Sequence, residues 1–381
     1  MKKIYLDYAA TTPVDKVVKE KVKDAMEDSF GNPSSLHSFG QKTKIIVDNA
    51  RSSVADFLNT NERDIIFTNS ATLANNIAVL GLLKNKKSAH IITTAFEHKS
   101  VLEPISKNNF DVTYLPVYEN GIVKVEDVAK QIKDETALIS IGYVNSEIGT
   151  IQPIEAIGKI VKEQNKNRKK KIIFHTDAVQ ATNYLSCNVE KLGVDMLTLS
   201  GHKIYGPKGA GALYVKEGLK LERIFFGASQ EKGIFPGTEN VYAIAGLGFA
   251  IEELKKNSMP KTKKLRDKII KNISENILGS SINGDIEKRI DNNINVSFKG
   301  VEGESLMFAL DNEGIAVSTG SACASLSLEP SYVLLAMGVS HEMAHGSIRV
   351  TLGRFTKEEE IDYFLEKLSN IIIKLRKISG R

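Results

Sequence analysis

Between Leu197 and Val215 the chain reads LTLSGHKIYGPKGAGALYV. An apolar, alternating run ends at Ser200, and Lys203 follows within one turn. Gly201, Gly206, Gly209 and Gly211 surround that lysine, together with Pro207, before GALYV resumes as a strand. Glycine-rich backbone at a strand end lets the main chain come close to a ligand. A solvated surface lysine is the plain reading of any single Lys, and it fits this setting badly. A lysine held here can form a Schiff base with a carbonyl cofactor, of which pyridoxal phosphate is the common one.

Outward from this stretch, short apolar runs alternate with amphipathic patterns. DIIFTNS, AHIITTAF, ALISIGYV, KIIFHTDA and DMLTLSG read as strands. VKEKVKDAMEDSF, TKIIVDNARSSVADFL and VEDVAKQIKDE carry apolar residues at three- and four-residue spacing and read as helices. Such alternation predicts an α/β architecture with a mostly parallel sheet covered by helices. After PGTEN a helical stretch runs from about Tyr242 to Ile277. Beyond it NNINVSFKG, SLMFALDNEG, IAVSTGSA, SIRVTLG and a last helix from Lys357 to about Ile378 predict a smaller α+β domain. With 381 residues a two-domain chain is expected. Residues 14–258 are the expected large domain, and 1–13 with 259–381 the small one; SMPK, at Ser258 to Lys261, interrupts the helical periodicity between them.

Pyridoxal phosphate makes further demands. Its pyridine nitrogen needs a carboxylate, and HTDAVQ puts Asp177 at the end of the buried-looking strand KIIFH, with Gln180 three residues on. Its phosphate needs amide N–H groups at a helix start and hydroxyls. FTNSATLANNIAVL supplies a strand, a polar turn with Thr72 and a helix, although Thr72 as a plain helix cap is an equal alternative. TTAFEHKSVL sets His98 just past another strand, where catalytic groups of open α/β sheets gather.

Other motifs fail. HEMAH, His341 to His345, matches the HExxH zinc signature, but Gly346 ends the turn at once and SIRVTLG follows as a strand, so no helix carries two ligands. GHKIYGPKG has Pro207 where a phosphate loop needs lysine, and GLGFAI lacks the third glycine of a dinucleotide fingerprint.

The bulk composition is that of an ordinary globular protein, 42% apolar and 25% charged. Charge nearly balances, 51 basic residues against 46 acidic. The one dense basic cluster, Lys166 to Lys171, has no interleaved aromatic residue and reads as a solvated loop, so no direct nucleic-acid contact is expected. No apolar stretch reaches membrane-spanning length, and MKKIYLDYAATT lacks the apolar core of a secretory signal. The two cysteines, Cys187 and Cys323, form neither a CxxC nor a disulfide framework, which points to a reducing, cytoplasmic setting. Cys323 sits in STGSACAS, Ser318 to Ser325, among residues that offer a core almost nothing. Cys187 in NYLSCNVEKLG reads as a structural thiol.

Taken together, YLDYAATTPVD, GNPSSLHSFG, EHKSVLE, NSEIGTIQPI, HTDAVQ, SGHKIYGPKGAGALYV, PGTEN, STGSACASLSLEPSYVL and AHGSIRVTLGRFT resemble the cysteine desulfurases of the fold-type I pyridoxal phosphate family, in the iron–sulfur-cluster and nitrogen-fixation group. The likeness covers nearly the whole chain. It implies a seven-stranded, mostly parallel sheet in the large domain and a homodimer. It implies Lys203 bound to the cofactor, Asp177 on the pyridine nitrogen, Gln180 on the ring hydroxyl and His98 stacked on the ring as proton shuttle. Thr72, Ser200 and His202 are implied in phosphate binding, with Thr238 reaching in from the other subunit, and Ala71 and Asn145 are implied among the cofactor-binding residues. Asn145 and Arg349 are implied in holding the substrate, the guanidinium suiting a carboxylate. Cys323 is implied as the nucleophile that takes sulfur from L-cysteine, on a mobile loop of about 318–330. Acceptor proteins such as an iron–sulfur scaffold or a tRNA-thiolation enzyme are the implied partners.

Five positions depart from the family pattern. Leu73 replaces a Glu, Ser229 a Gly, Lys232 an Arg, and Phe235 and Pro236 an Arg and a Ser. Alternatives that share Lys203 and Asp177 are a DNA-phosphorothioation desulfurase, a selenocysteine lyase and an aminotransferase. In another class stands a sulfur-relay scaffold of poor catalytic power, against which the complete Lys, His, Asp, Gln, Cys and Arg set argues.

Overall fold

A computed structural model describes residues 3–86, 88–256, 260–320 and 329–378. In chain order its strands are β1 (Ile4–Tyr5), β2 (Ile65–Thr68), β3 (His90–Thr94), β4 (Asp111–Leu115), β5 (Thr136–Ser140), β6 (Ile173–Asp177), β7 (Met196–Ser200), β8 (Gly211–Val215), β9 (Ser280–Ile282), β10 (Asn293–Phe298), β11 (Ile315–Ala316) and β12 (Ser347–Thr351).

Seven of them make one sheet in the order β2-β8-β7-β6-β5-β3-β4. Only β8 runs against its neighbours, pairing antiparallel with both β2 and β7. The period-two alternation of a strand explains why these runs are apolar on both faces. Ile66, Ile91, Leu138, Met196 and Leu213 point to one side, where Ala74, Ile77, Leu82, Val101 and Ile105 cover them. Their neighbours Phe67, Ile92, Ile139, Leu197 and Ala212 point to the other, against Val47, Val54, Ile157, Val161, Leu247 and Ile251. The expected mostly parallel sheet, covered by helices, is therefore observed.

Local signals place the covering helices. Asp15 caps the helix Lys16–Asp28 by accepting from the Val17 N–H at 2.9 Å, and Asn59, at φ 58°, ends the helix Ser38–Leu58 in the left-handed conformation. The stretch expected as one helical run from Tyr242 is two helices, Val241–Lys256 and Pro260–Asn276. The expected boundary at Ser258 to Lys261 falls largely outside the described residues.

A second sheet, β12-β10-β9, is antiparallel, and β1 pairs in parallel with β11. Ile294, Val296, Phe298, Ile348 and Val350 form a separate apolar cluster with Ile269, Ile273, Phe364 and Leu368 from the helices Pro260–Asn276 and Glu358–Ile378. Ile4 and Leu6 join that cluster from the other end of the chain. Among the described residues no helix is long and apolar enough to cross a membrane.

Because β3, β5, β6 and β7 are mutually parallel, their C-terminal ends share one edge. The residues just past those ends are His98, Asn145, Gln180 and Lys203. In open α/β sheets this edge is where ligands bind.

Candidate active site

A cavity of about 240 Å³ opens at that edge. Ten of the residues expected in the site line it: Ala71, Thr72, His98, Asn145, Asp177, Gln180, Ser200, His202, Lys203 and Arg349. Thr238 is exposed and does not line it, and Cys323 lies outside the described residues.

Lys203 closes a single 3₁₀ turn, Gly201–Lys203, directly after β7. Its Nζ donates to the carbonyls of Ala9 and Ala10 at 2.5 and 2.7 Å. Gln180 Nε2 donates to the same Ala9 carbonyl at 3.0 Å, so the N-terminal segment bridges the ends of β6 and β7. Beside Lys203, His202 is held uncharged, its pKa lowered to about 4 by burial first and by Lys203 and Lys208 next. Its Nδ1 lies 3.1 Å from Thr11 Oγ1.

Asp177 ends β6 and accepts from the Val179 N–H at 2.9 Å and from Asn75 Nδ2 at 2.7 Å. A carboxylate at a strand end thus gains two donors instead of an unmet desolvation cost.

The helix Ala71–Asn76, continued by a π-turn over Ile77–Gly81, begins at the cavity wall. Its cap is Ser70, whose hydroxyl accepts from the Leu73 N–H at 3.3 Å. The plain alternative for Thr72, that it is the cap, is therefore wrong. First-turn amides of a helix have no partner within it, and the first-turn residues Ala71 and Thr72 line the cavity. Gly211 makes this approach possible: a Cβ there would meet the Ser70 carbonyl carbon at 2.7 Å and the Ala71 nitrogen at 2.8 Å.

His98 caps the helix Lys99–Ser106 through its own ring, Nδ1 accepting from the Ser100 N–H at 3.1 Å. Asn145 is a turn-former: Oδ1 accepts from the amides of Glu147 and Ile148 at 2.9 and 3.2 Å, and Nδ2 donates to the Phe96 carbonyl at 3.0 Å. Arg349, on β12, is only 2% exposed; it forms an ion pair with Asp7 at 2.8 Å and donates to the Ser146 carbonyl at 3.2 Å. Its Nε is buried with no partner in the protein.

Sequence reasoning missed Glu97, which also lines the cavity. Burial pushes its carboxyl up to about 8; donors from Thr94 and Gly142, each at 2.8 Å, oppose that shift in part, and Asp177 adds to it. Its neighbour His98 drew attention because a histidine past a strand end carries chemistry. A carboxyl that burial keeps neutral leaves no such trace.

The segment with several departures is anchored to β2 through Glu231. Glu231, at φ 44°, has a nearly enclosed side chain that accepts from the Phe67 N–H at 2.8 Å while pairing with Arg51 at 2.5 Å. Phe235 packs edge-on to Phe225, ring centres 5.7 Å apart. The aromatic replacement thus faces the protein's own surface.

Cys187 is buried, its thiol pushed up to about 12 by burial, which suits a structural thiol. HEMAH forms one helical turn, His341–His345, ended at Gly346 before β12, and no group of metal-ligating side chains is found among the described residues.

Over residues 4–364 the sequence matches the family model described as aminotransferase class-V. The chain belongs to that family. Within it, the chain is 47% identical over 387 residues to the cysteine desulfurase IscS of Dictyoglomus turgidum, covering 99% of this chain and 96% of the relative. A solved NifS-like protein superimposes with a TM-score of 0.90 at 35% identity, over 98% of this chain and all of that one. The structure of SspA in complex with cysteine superimposes at 0.82 with 36% identity, over 93% and 100%. As a class-V enzyme of the desulfurase group the chain takes pyridoxal phosphate as its cofactor, and the cavity fits that group. It brings together an amine, an ionisable carboxyl with two donors, helix-start amides beside hydroxyls, and a buried guanidinium with an unmet N–H.

Proposed function

We propose that this chain converts L-cysteine to L-alanine and captures the sulfur as a persulfide on Cys323, for delivery to acceptor proteins. The observation that carries this is the convergence, in one cavity, of ten residues drawn from six separate parts of the sequence. Lys203 would hold the cofactor covalently, Asp177 would meet its ring nitrogen and Gln180 its hydroxyl, and His98 would lie against the ring. Ala71, Thr72, Ser200 and His202 would receive the phosphate. When bound, the cofactor supplies an electron sink for the pair left at Cα.

The chain's own residues do the rest. Arg349 offers its remaining N–H groups to the substrate carboxylate, with Asn145 holding the turn beside it. A carboxylate there would meet a guanidinium already fixed on two sides, which limits the entropy lost on binding. Cys323 as thiolate attacks the substrate sulfur. The S–S bond forms as the Cβ–S bond breaks, the pair stays on carbon, and a proton delivered to that carbon gives alanine. A thiol of ordinary pKa is only partly ionised near neutrality, so the site must accept its proton.

The same reading makes the enzyme a cytoplasmic homodimer, with 14–258 as the large domain and 1–13 with 259–381 as the small one. The dimer is supported by an exposed apolar strip on the first two helices and their connection, including Phe30 at 71% exposure and Leu36 at 93%. Exposed Thr238 suits a reach toward a second copy's phosphate site. Delivery to iron–sulfur assembly or tRNA thiolation follows the group the chain resembles. The test is a pair of variants. Lys203→Ala removes the visible absorbance of bound cofactor. Cys323→Ser keeps that absorbance and stops alanine and sulfide formation. Alanine formed at the wild-type rate by Cys323→Ser would sink the persulfide mechanism.

A further inference from the structure

Asn75 and Ser100 carry no role in the chemistry above, yet both are buried against it. Asn75 Nδ2 lies 2.7 Å from Asp177 Oδ2 and 2.8 Å from Ser100 Oγ. Turned the other way, the amide would set its oxygen against a carboxylate, so the nitrogen end is required here. Both amide hydrogens are then spent, one on each neighbour. Ser100 Oγ accepts from Asn75, and its single hydrogen is left for His98 Nδ1 at 2.7 Å. The Ser100 backbone N–H reaches the same Nδ1 at 3.1 Å. A backbone N–H can only donate, so Nδ1 must present its lone pair.

We propose that Asn75 and Ser100 are positioning residues: they form a hydrogen-bond chain that runs from Asp177 to His98 and fixes His98 as the neutral tautomer with its proton on Nε2. This deepens the reading of the cavity as the cofactor site and rests on it for its consequence. Asp177 sets the direction, because it accepts from Asn75 Nδ2 as it does from the Val179 N–H. A proton added at Nδ1 would face two donors, so the imidazolium is disfavoured. His98 therefore meets a bound substrate first as a donor from Nε2. The charged and titratable groups that share the cavity with it are Glu97, Asp177, His202, Lys203 and Arg349.

The test is long-range ¹H–¹⁵N NMR of the histidine rings in ¹⁵N-histidine holoenzyme, followed from about pH 6 to about pH 9, with His98 identified from His98→Gln. Wild type shows His98 with Nδ1 bare and Nε2 protonated. In Asn75→Leu the Ser100 hydroxyl is released to turn and accept, so the His98 midpoint rises by about one pH unit. In Ser100→Ala the Nδ1 signal moves toward that of a nitrogen with a single donor, and Ser100→Thr restores the wild-type signal. Protonated Nδ1 in wild type, or identical His98 signals in wild type, Asn75→Leu and Ser100→Ala, overturns the proposal. Should Asn75→Leu fail to fold, the Ser100→Ala and Ser100→Thr pair decides alone. These signals do not depend on cysteine turnover: an intact tautomer pattern in an enzyme that forms no alanine would condemn the desulfurase reading and leave the chain of bonds standing.

Discussion

The two ends of the central sheet both carry ionisable side chains, and they hold them in opposite ways. At the C-terminal end, Glu97, Asp177, Lys203 and Arg349 each meet a fixed donor or acceptor inside a cavity of about 240 Å³. At the other end, Lys84, Lys86, Asp134, Glu135, Lys169 and Lys170 line an open groove of about 1270 Å³, and every one of them is exposed. Water reaches every member of the second set, although Lys84 also donates to the Arg223 carbonyl, so their positions are loosely specified and worth little to the fold. The first set has lost water and is held by named partners, which is what makes it a site. A count of charges along the sequence does not separate the two; burial and hydrogen bonding do.

That contrast can be attacked from the strongest effect downward. Asp177→Ala should lower kcat/KM for cysteine by about three orders of magnitude, measured as alanine formed, because the carboxyl group proposed to meet the cofactor ring is lost. Arg349→Ala should raise KM sharply and also destabilise the chain by about 3–5 kcal/mol, since it strands Asp7 in a nearly closed setting; urea unfolding checks the second part. Unchanged stability would mean that the pair with Asp7 is incidental.

Glu97 sharpens the comparison through pH. Folded, its carboxyl keeps a proton up to about 8, whereas the unfolded group ionises near 4.5. Between those values the folded state binds the extra proton, so this group's contribution to stability falls as pH rises through the window. Glu97→Gln cannot ionise, and it keeps an oxygen for the Gly142 N–H. Its Tm relative to wild type should therefore climb from about pH 5 to about pH 8. A constant difference across that range would show Glu97 ionised in the folded protein. At the small end, Lys170→Ala should leave turnover within about twofold and stability within about 0.5 kcal/mol. A larger loss would give the opposite groove a role.

The same contrast explains what the sequence made legible. β3, β5, β6, β7 and β8 could be read because both their faces are largely buried and each carries a run of apolar, often β-branched residues. β4 was missed because DVTYL lies at the sheet edge with only Leu115 buried, so its pattern is that of a loop. Lys203, Asp177 and His98 stood out because chemistry-bearing residues at strand ends are rare. Asn75 and Ser100 did not, because asparagine and serine ordinarily serve turns and caps. Their link exists only once the helix Ala71–Asn76, the start of Lys99–Ser106 and the end of β6 are folded together.

The central claim is that sulfur leaves cysteine for Cys323. Mixing the pyridoxal phosphate-loaded enzyme with one equivalent of L-cysteine, then trapping and mapping its peptides by mass spectrometry, tests this directly. The peptide holding Cys323 should gain one sulfur atom as one alanine is released, while the peptide holding Cys187 stays unchanged. Alanine released with no added sulfur on Cys323 would contradict the account.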